Sequence, residues 1–191
     1  TQMKATGEVM AVGRTLQESI LKAVRSLEAG VSHIYMEKFN DFSDKELLDY
    51  IKLGTDDRIF ALAELMSRST DLGQIASATQ IDMLFLDKIS NIVRYEEEIK
   101  KRPWDPEVLC KAKRRGFSDR ALAWLWKTTE RAVYDKRREL GLFPVYKMID
   151  TCASEFASYV PYFYSTYEDE NESVVSPHKK IIVLGSGPIR I

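Results

Sequence analysis

The residues with the clearest chemical potential lie near the C-terminal end, where an apolar run meets two glycines. Ile181-Ile182-Val183-Leu184 is followed by Gly185-Ser186-Gly187. Such a run before a glycine turn is typical of a buried parallel strand that enters a βα unit, where the turn lets backbone approach a ligand or a neighbouring element. The turn is neither a Walker loop nor a complete dinucleotide fingerprint. A close turn without any ligand is therefore an equally good interpretation.

A basic segment at 105–140 is the second candidate, because it could bind nucleic acid. Between Lys111 and Arg138 there are ten Lys or Arg residues and three acids. Two short capped helices in tandem are typical of a helix-turn-helix, and a phosphate-facing surface needs clustered cations. The whole chain, however, has a net charge of −1, and the turn has no central glycine. A nucleic-acid-binding module at 105–140 is thus the alternative to a solvated or interface-forming helical surface.

Catalytic and metal-binding chemistry has less support. His33 and His178 lie in a loop and a linker, Cys110 and Cys152 lack metal-ligand spacing, and the acids at 96–98 fall on an expected solvated helix face. None of these residues forms a recognisable triad or metal-ligand set. We therefore predict no catalytic residue, no cofactor-binding residue and no metal ligand in this chain. The cysteines are expected to be small buried residues in a reducing compartment.

The elements that must position these residues are mainly helical. Capping and stop signals predict a series of helices between residues 43 and 141, without a strand. Their expected starts are Ser43 with Glu46, Asp56 or Asp57, Asp71 with Gln74, Asp82, Asp105-Pro106, Ser118, and Thr128 or Thr129. We expect a mainly all-α fold, a helical bundle-like connector domain with short α/β fragments at both ends.

The two ends have a different character from this block. Residues 8–12 are expected to form a short strand, followed by a helix that a Thr15–Glu18 capping box opens and Gly30 closes. Residues 145–167 are rich in aromatics without clear periodicity, which indicates an extended segment with a short helix near Cys152–Phe156. An acidic, solvated linker leads to the final strand. Because one parallel strand cannot make a sheet, we expect the chain to be a piece of a longer polypeptide.

Composition places the chain among ordinary globular proteins. It is 45% hydrophobic and 30% charged. No apolar run approaches the roughly 20 residues that span a bilayer, and the N-terminal residues do not resemble a secretory signal peptide. We therefore expect a cytoplasmic location and no membrane partner.

Several motifs, in this order and spacing, resemble one family over the whole chain: the large subunit of carbamoyl-phosphate synthetase. Weaker matches are Ile81-Asp82-x-x-Phe85-Leu86 and Gly116-Phe117-Ser118-Asp119. The stronger ones are Thr1-Gln2-Met3-Lys4-x-x-Gly7-Glu8-Val9-Met10-Ala11-x-Gly13-Arg14-Thr15, Val145-Tyr146-Lys147, Asp150-Thr151-Cys152-Ala153-x-Glu155-Phe156-Ala157, Tyr164-Ser165-Thr166-Tyr167-Glu168 and Val183-Leu184-Gly185-x-Gly187-Pro188-x-Arg190-Ile191.

The resemblance implies how the chain is organised. The family's large subunit has two ATP-grasp halves joined by a helical oligomerisation domain. Residues 1–30 would be the tail of the first half, 31–165 the oligomerisation domain, 166–177 a linker and 178–191 the first strand of the second half. The nucleotide-binding arginines and metal-binding acids of both halves lie outside this chain, so no catalytic residue of the family transfers to it.

The resemblance also implies a function. The parent would be a ligase that makes carbamoyl phosphate from glutamine or ammonia, bicarbonate and ATP, with ATP and Mg or Mn bound outside this chain. The chain itself would be its linking and oligomerisation domain, structural in isolation. Its expected partners are the adjoining ATP-grasp halves, other large subunits in a homo-oligomer and the small glutamine amidotransferase subunit, with no nucleic acid. Arginine and pyrimidine biosynthesis both remain open.

Overall fold

The computed structural model describes residues 9–27, 30–152, 155–156 and 161–184. Within these residues there are eight α-helices, one short 3-10 helix and two strands, which confirms the mainly all-α class. In chain order they are α1 (Leu16–Ser26), the 3-10 helix (Glu37–Phe39), α2 (Asp44–Ile51), α3 (Arg58–Ser67), α4 (Leu72–Thr79), α5 (Met83–Lys101), α6 (Pro106–Arg114), α7 (Asp119–Leu125), α8 (Glu130–Glu139), β1 (Val145–Met148) and β2 (Phe163–Thr166).

The predicted caps open most of these helices. The side chains of Ser43, Asp71 and Asp105 accept hydrogen bonds from backbone N–H groups in the first turns of α2, α4 and α6. Each cap satisfies a donor that the helix itself leaves unpaired, which is why the local sequence sets these boundaries. The capping box at Ser43 is complete. The Thr15 side chain caps α1 as predicted, accepting from Glu18 N at 3.2 Å. The predicted Thr15–Glu18 capping box is not completed, because the Glu18 carboxylate accepts from the backbone N–H of Arg14 at 2.8 Å and not from that of Thr15.

Helix α5 is the centre of the molecule. Its side chains at Leu86, Ile89, Val93 and Ile99 are buried at helical spacing. Helices α1, α3, α4, α6 and α7 all contact it, while α2 packs on α3 and α8 on α7. The result is one continuous apolar core around a single long helix. None of the described helices combines the length and the hydropathy that crossing a bilayer requires.

The segment expected to be extended contains a small sheet. Strands β1 and β2 pair antiparallel, with Val145 opposite Thr166 and Met148 opposite Phe163. The outer edge of β1 is covered by the next segment, because Glu172 N donates to Tyr146 O at 2.8 Å. Paired edges of this kind leave fewer open backbone groups. The short helix expected near Cys152–Phe156 falls partly outside the described residues, and its described members lie in turns and bends.

The strand expected at residues 8–12 is wrong over its described residues, whereas the strand expected at 178–191, which would belong to the sheet of a further domain, stays a prediction. Residues 9–12 and 181–184 have no strand geometry. A strand needs a neighbour for its ladder hydrogen bonds, and the sheet among the described residues consists of β1 and β2 without either segment. The side chains of Ile181–Leu184 are 84–93% exposed. Glu8 and the glycine turn at 185–187 lie outside the described residues.

Candidate functional site

A cluster of buried and partly buried side chains, most of them charged, joins four parts of the chain. We call it the charged junction. It is formed by residues from α1, from the turn between α6 and α7, from α8 and from the segment around β2. Its members are Glu18, Lys22, Arg25, Lys113, Asp119, Arg137 and Tyr167.

The turn between α6 and α7 forms its centre. Gly116 has a φ of +94°, a left-handed conformation that favours glycine. Backbone N–H groups of Gly116 and Phe117 donate to Lys113 O and Ala112 O, both at 3.0 Å, and close the end of α6. The side chain of Ser118 then caps α7. This tight reversal carries Lys113 and Asp119, six positions apart, to the same side.

Lys113 is only 5% exposed, and its ammonium group is fully engaged. Nζ donates to Phe117 O at 2.9 Å and to Asp119 Oδ1 at 2.7 Å. It also lies 4.9 Å from the centre of the Tyr167 ring, a distance at which a cation is attracted to the ring face. Arg137 Nε donates to the other carboxylate oxygen of Asp119 at 2.7 Å. One carboxylate therefore holds two cations.

Burial and pairing shift the pKa values of this cluster in opposite ways. Burial lowers the pKa of Lys113 to about 8, although Asp119 opposes the shift. For Asp119 burial is the largest single effect and raises the pKa, but Lys113 and Arg137 together outweigh it, so the pKa is lowered. Burial raises the pKa of Tyr167, which keeps its phenol neutral. The junction thus has an ionised carboxylate at neutral pH.

The α1 side of the junction is equally well bonded. Glu18 is 2% exposed and accepts from Lys22 Nζ at 2.8 Å. Lys22 Nζ also donates to Val12 O at 2.8 Å and to Ser165 O at 2.6 Å. Arg25 Nη1 donates to Gly116 O at 2.6 Å, and burial lowers the pKa of this arginine. These bonds fasten α1 to the α6–α7 turn on one side and to β2 on the other.

The junction has the chemistry of a structural joint. Its lysines and its carboxylates are each bonded to protein partners, and such satisfied networks rigidify a structure. Sequence reasoning did not find it, although one signal was present: Asp119 is one of only three acids among ten cations between Lys111 and Arg138. An isolated acid in a basic stretch is a natural internal partner.

Of the residues considered for catalysis, the structure brings His33 and Glu96 together. His33 is buried against Phe117, and its Nε2 lies 2.6 Å from Glu96 Oε1. His178 is exposed, and Cys110 and Cys152 are partly buried thiols outside any disulfide. Among the described residues, no three His, Cys, Asp or Glu side chains lie close enough together to hold a metal ion.

Most cations of the basic segment are paired with carboxylates. Six of its ten cations form ion pairs with carboxylates: Lys111, Lys113, Arg114, Arg131, Lys136 and Arg137. Arg115 lies over the ring of Tyr95 at 3.8 Å. Carboxylates beside these cations lower the positive potential that phosphates would meet. The alternative of a nucleic-acid-binding module at 105–140 therefore has no support from the structure.

Comparison with known families is consistent with this arrangement. A family model described as carbamoyl-phosphate synthetase large chain, oligomerisation domain matches residues 8–141. The match includes α1 to α8, and with them every residue of the charged junction except Tyr167. It covers more than two thirds of the chain. The chain therefore belongs to the family of oligomerisation domains of the carbamoyl-phosphate synthetase large chain.

Proposed function

We propose that the charged junction is the device by which this linking domain holds two catalytic halves in a fixed relation. Residues 1–30 would complete the first ATP-grasp half, 31–165 would form the helical connector, 166–177 a linker and 178–191 the first strand of the second half. The segments that enter and leave the helical connector must then be held in a fixed orientation relative to each other. Buried, fully bonded charges supply it because they tolerate only one geometry.

One observation carries this proposal. The ammonium group of Lys22 is bonded both to Val12 O, before α1, and to Ser165 O, in β2. Lys22 and Ser165 are 143 positions apart in the chain. The segment that enters the helical block and the segment that leaves it are thus tied to the same side chain. A further ion pair, Arg14 Nε to Glu168 Oε1 at 2.8 Å, supports the same connection.

The proposed partners follow from the family. The adjoining ATP-grasp halves would pack at the two ends, other large chains would associate with the domain, and the small glutamine amidotransferase subunit would belong to the same assembly in the cytoplasm. ATP and Mg or Mn would bind to the halves and not to this chain. The parent would consume bicarbonate, ATP and the ammonia of glutamine, and a fixed separation of the halves would help an unstable intermediate to pass between them.

The test uses the whole synthetase with Lys22→Met. We expect ATP turnover by the first half with bicarbonate, and by the second half with carbamate, to stay near wild type. Carbamoyl phosphate made per ATP consumed should fall, because intermediates are lost between the halves. Lys45→Met, which alters an exposed lysine of α2, is the matched control. Unchanged coupling in Lys22→Met, or equal loss of both half-reactions, would contradict the proposal.

A simpler measurement checks the structural role of the chain alone. Isothermal calorimetry with MgATP should give no saturable heat, and the purified 191-residue chain should not hydrolyse ATP. A stoichiometric ATPase that co-purifies through several columns would overturn this assignment.

A further inference from the structure

Aromatic side chains form an open surface groove around α7, apart from the charged junction. The chain has three tryptophans, and Trp124 and Trp126 line an open groove of about 850 Å³ between the end of α5 and the α7–α8 turn. The third, Trp104, lies against Trp126 with ring centres 5.1 Å apart. Trp124 remains 47% exposed. We call this surface the tryptophan groove.

The groove is held in a defined shape. Trp126 Nε1 donates to Ile99 O at 2.9 Å, which fixes the ring against the end of α5. Trp124 packs on Tyr35 with ring centres 4.7 Å apart. Two non-glycine residues beside it, Trp104 and Lys127, have φ values of +65° and +54°. Such left-handed residues persist only where the surroundings determine them, so the groove is preformed.

The charges around the groove have one sign. The charged residues that line it are Lys100 and Lys127, and no carboxylate lines it. Lys100 is paired with Glu97 at 2.8 Å, while Lys127 is exposed at the rim. An aromatic floor with cationic rims fits an extended segment that carries both apolar side chains and carboxylates.

The chain has a segment with this chemistry. Glu170, Glu172, Val174 and Val175 lie in a stretch without helix or strand that precedes Pro177, and the two valines are 85% and 83% exposed. The two carboxylates lie 3.8 Å and 3.2 Å from Lys147 Nζ, and the Glu170 side chain is 87% exposed. The backbone and the side chain of Glu172 are bonded to the edge of β1. None of its residues lines the groove of the same copy.

We propose that the tryptophan groove receives residues 170–177 of a second copy of this chain. Val174 and Val175 would cover Trp124 and Trp126, and Glu170 would face Lys127. This inference rests on the proposed association of large chains, and names the two surfaces that would meet. Burial of exposed valines and tryptophans supplies the driving force, and the charge pair sets the register.

A peptide probe tests the groove directly. Because Trp124 and Trp126 line the groove and Trp104 packs on Trp126, tryptophan emission reports on its occupancy. A capped peptide with the sequence of residues 169–178 should shift the emission to the blue with saturation. The same peptide with Val174→Ser and Val175→Ser should bind at least about tenfold more weakly, because it lacks the apolar anchors. Absence of a saturable shift at about 1 mM peptide would overturn the proposal.

Sedimentation of the 191-residue chain tests the second copy. Trp124→Ala and Lys127→Glu should each raise the dissociation constant of self-association by about tenfold or more. Leu53→Ala, which removes another exposed apolar side chain (73% exposed), should leave it unchanged. Unaltered self-association in both groove variants would overturn this interface and leave the assembly role intact. A chain that stays monomeric at every concentration would overturn both.

Discussion

Gly116 shows how one residue controls the approach of two elements. Its φ of +94° closes α6, and a Cβ atom built there would lie 2.8 Å from the Cα of Glu18 in α1. A Cβ contact this short forces backbone to move. Glycine is therefore required at this position for two reasons: it adopts the left-handed conformation, and it has no Cβ that would collide with α1.

We predict that Gly116→Ala destabilises the chain by about 3 kcal/mol, as the sum of left-handed strain and displacement of α1. Gly141→Ala is the matched control: Gly141 also has a positive φ (+70°), but nothing lies within 4 Å of an added Cβ. Its cost should be about 1 kcal/mol, from strain alone. Urea unfolding followed by circular dichroism measures both. Equal costs for the two variants would show that the close contact with Glu18 is unimportant.

The buried ammonium group of Lys113 predicts a specific pH dependence. Its pKa is about 8 in the folded chain, below the ordinary lysine value of 10.5. Between these two values the unfolded chain binds more protons, so the contribution of Lys113 to the free energy of unfolding rises with pH. We therefore expect the stability of the wild type relative to Lys113→Met to rise between pH 8 and pH 10.

Lys45→Met is the control for the pH dependence attributed to Lys113. Lys45→Met removes an exposed lysine of α2, and its stability relative to the wild type should not change over this range. Urea titrations at several pH values give the free energies of unfolding. A wild-type stability relative to Lys113→Met that stays constant from pH 7 to pH 10 would contradict the burial of the charged ammonium group.

At the scale of elements, the small sheet depends on α1. Strands β1 and β2 are four residues each, and an isolated two-stranded sheet is marginal in water. Lys22 compensates by donating from α1 to Ser165 O in β2, and its ammonium also lies 5.3 Å from the Tyr164 ring. The sheet is therefore expected to lose protection when α1 loses this lysine.

We predict that Lys22→Met increases amide hydrogen exchange in both strands while the core of α5 keeps its protection, because local opening needs only the contacts of the sheet to break. Mass spectrometry of peptic peptides resolves the two regions. Lys52→Met, which removes an exposed lysine at the end of α2, serves as a control for a changed charge. Uniformly increased exchange in all helices would instead indicate global destabilisation.

At the scale of the whole molecule, the pairing of charges decides which partners fit. Most cations of the basic segment are bonded to carboxylates, and the net charge of the chain is −1. A duplex would have to break these pairs to bind. The surface that remains open has aromatic and aliphatic side chains, which suits protein partners better than phosphates.

We therefore predict that the chain binds a 20-base-pair duplex more weakly than about 0.1 mM at near-physiological salt, the weak end of non-specific affinities. Fluorescence anisotropy with a labelled duplex measures it. Tight, saturable binding that weakens steeply with salt and disappears in Arg114→Glu would restore the helix-turn-helix interpretation of residues 105–140.

The sequence by itself determined the positions of the helices, because their signals are local. Ser43, Asp71, Asp105 and Ser118 each bond to backbone two or three residues away, so the pattern is readable without the fold. Motif order likewise identified the family, which the match over residues 8–141 confirms. The strand expected at 8–12 does not form over its described residues. The prediction used only the local residue pattern, whereas a strand also requires a partner strand elsewhere in the chain.

Only the tertiary structure decided which charges are buried and which surfaces stay open. The bond from Lys22 to Ser165 spans 143 positions, and β1 pairs with β2 across a segment without clear periodicity. Likewise, Trp104 meets Trp126 only because α5, α6 and α7 pack together. Contacts between residues far apart in the chain depend on how whole elements pack, and no short stretch of sequence encodes that arrangement.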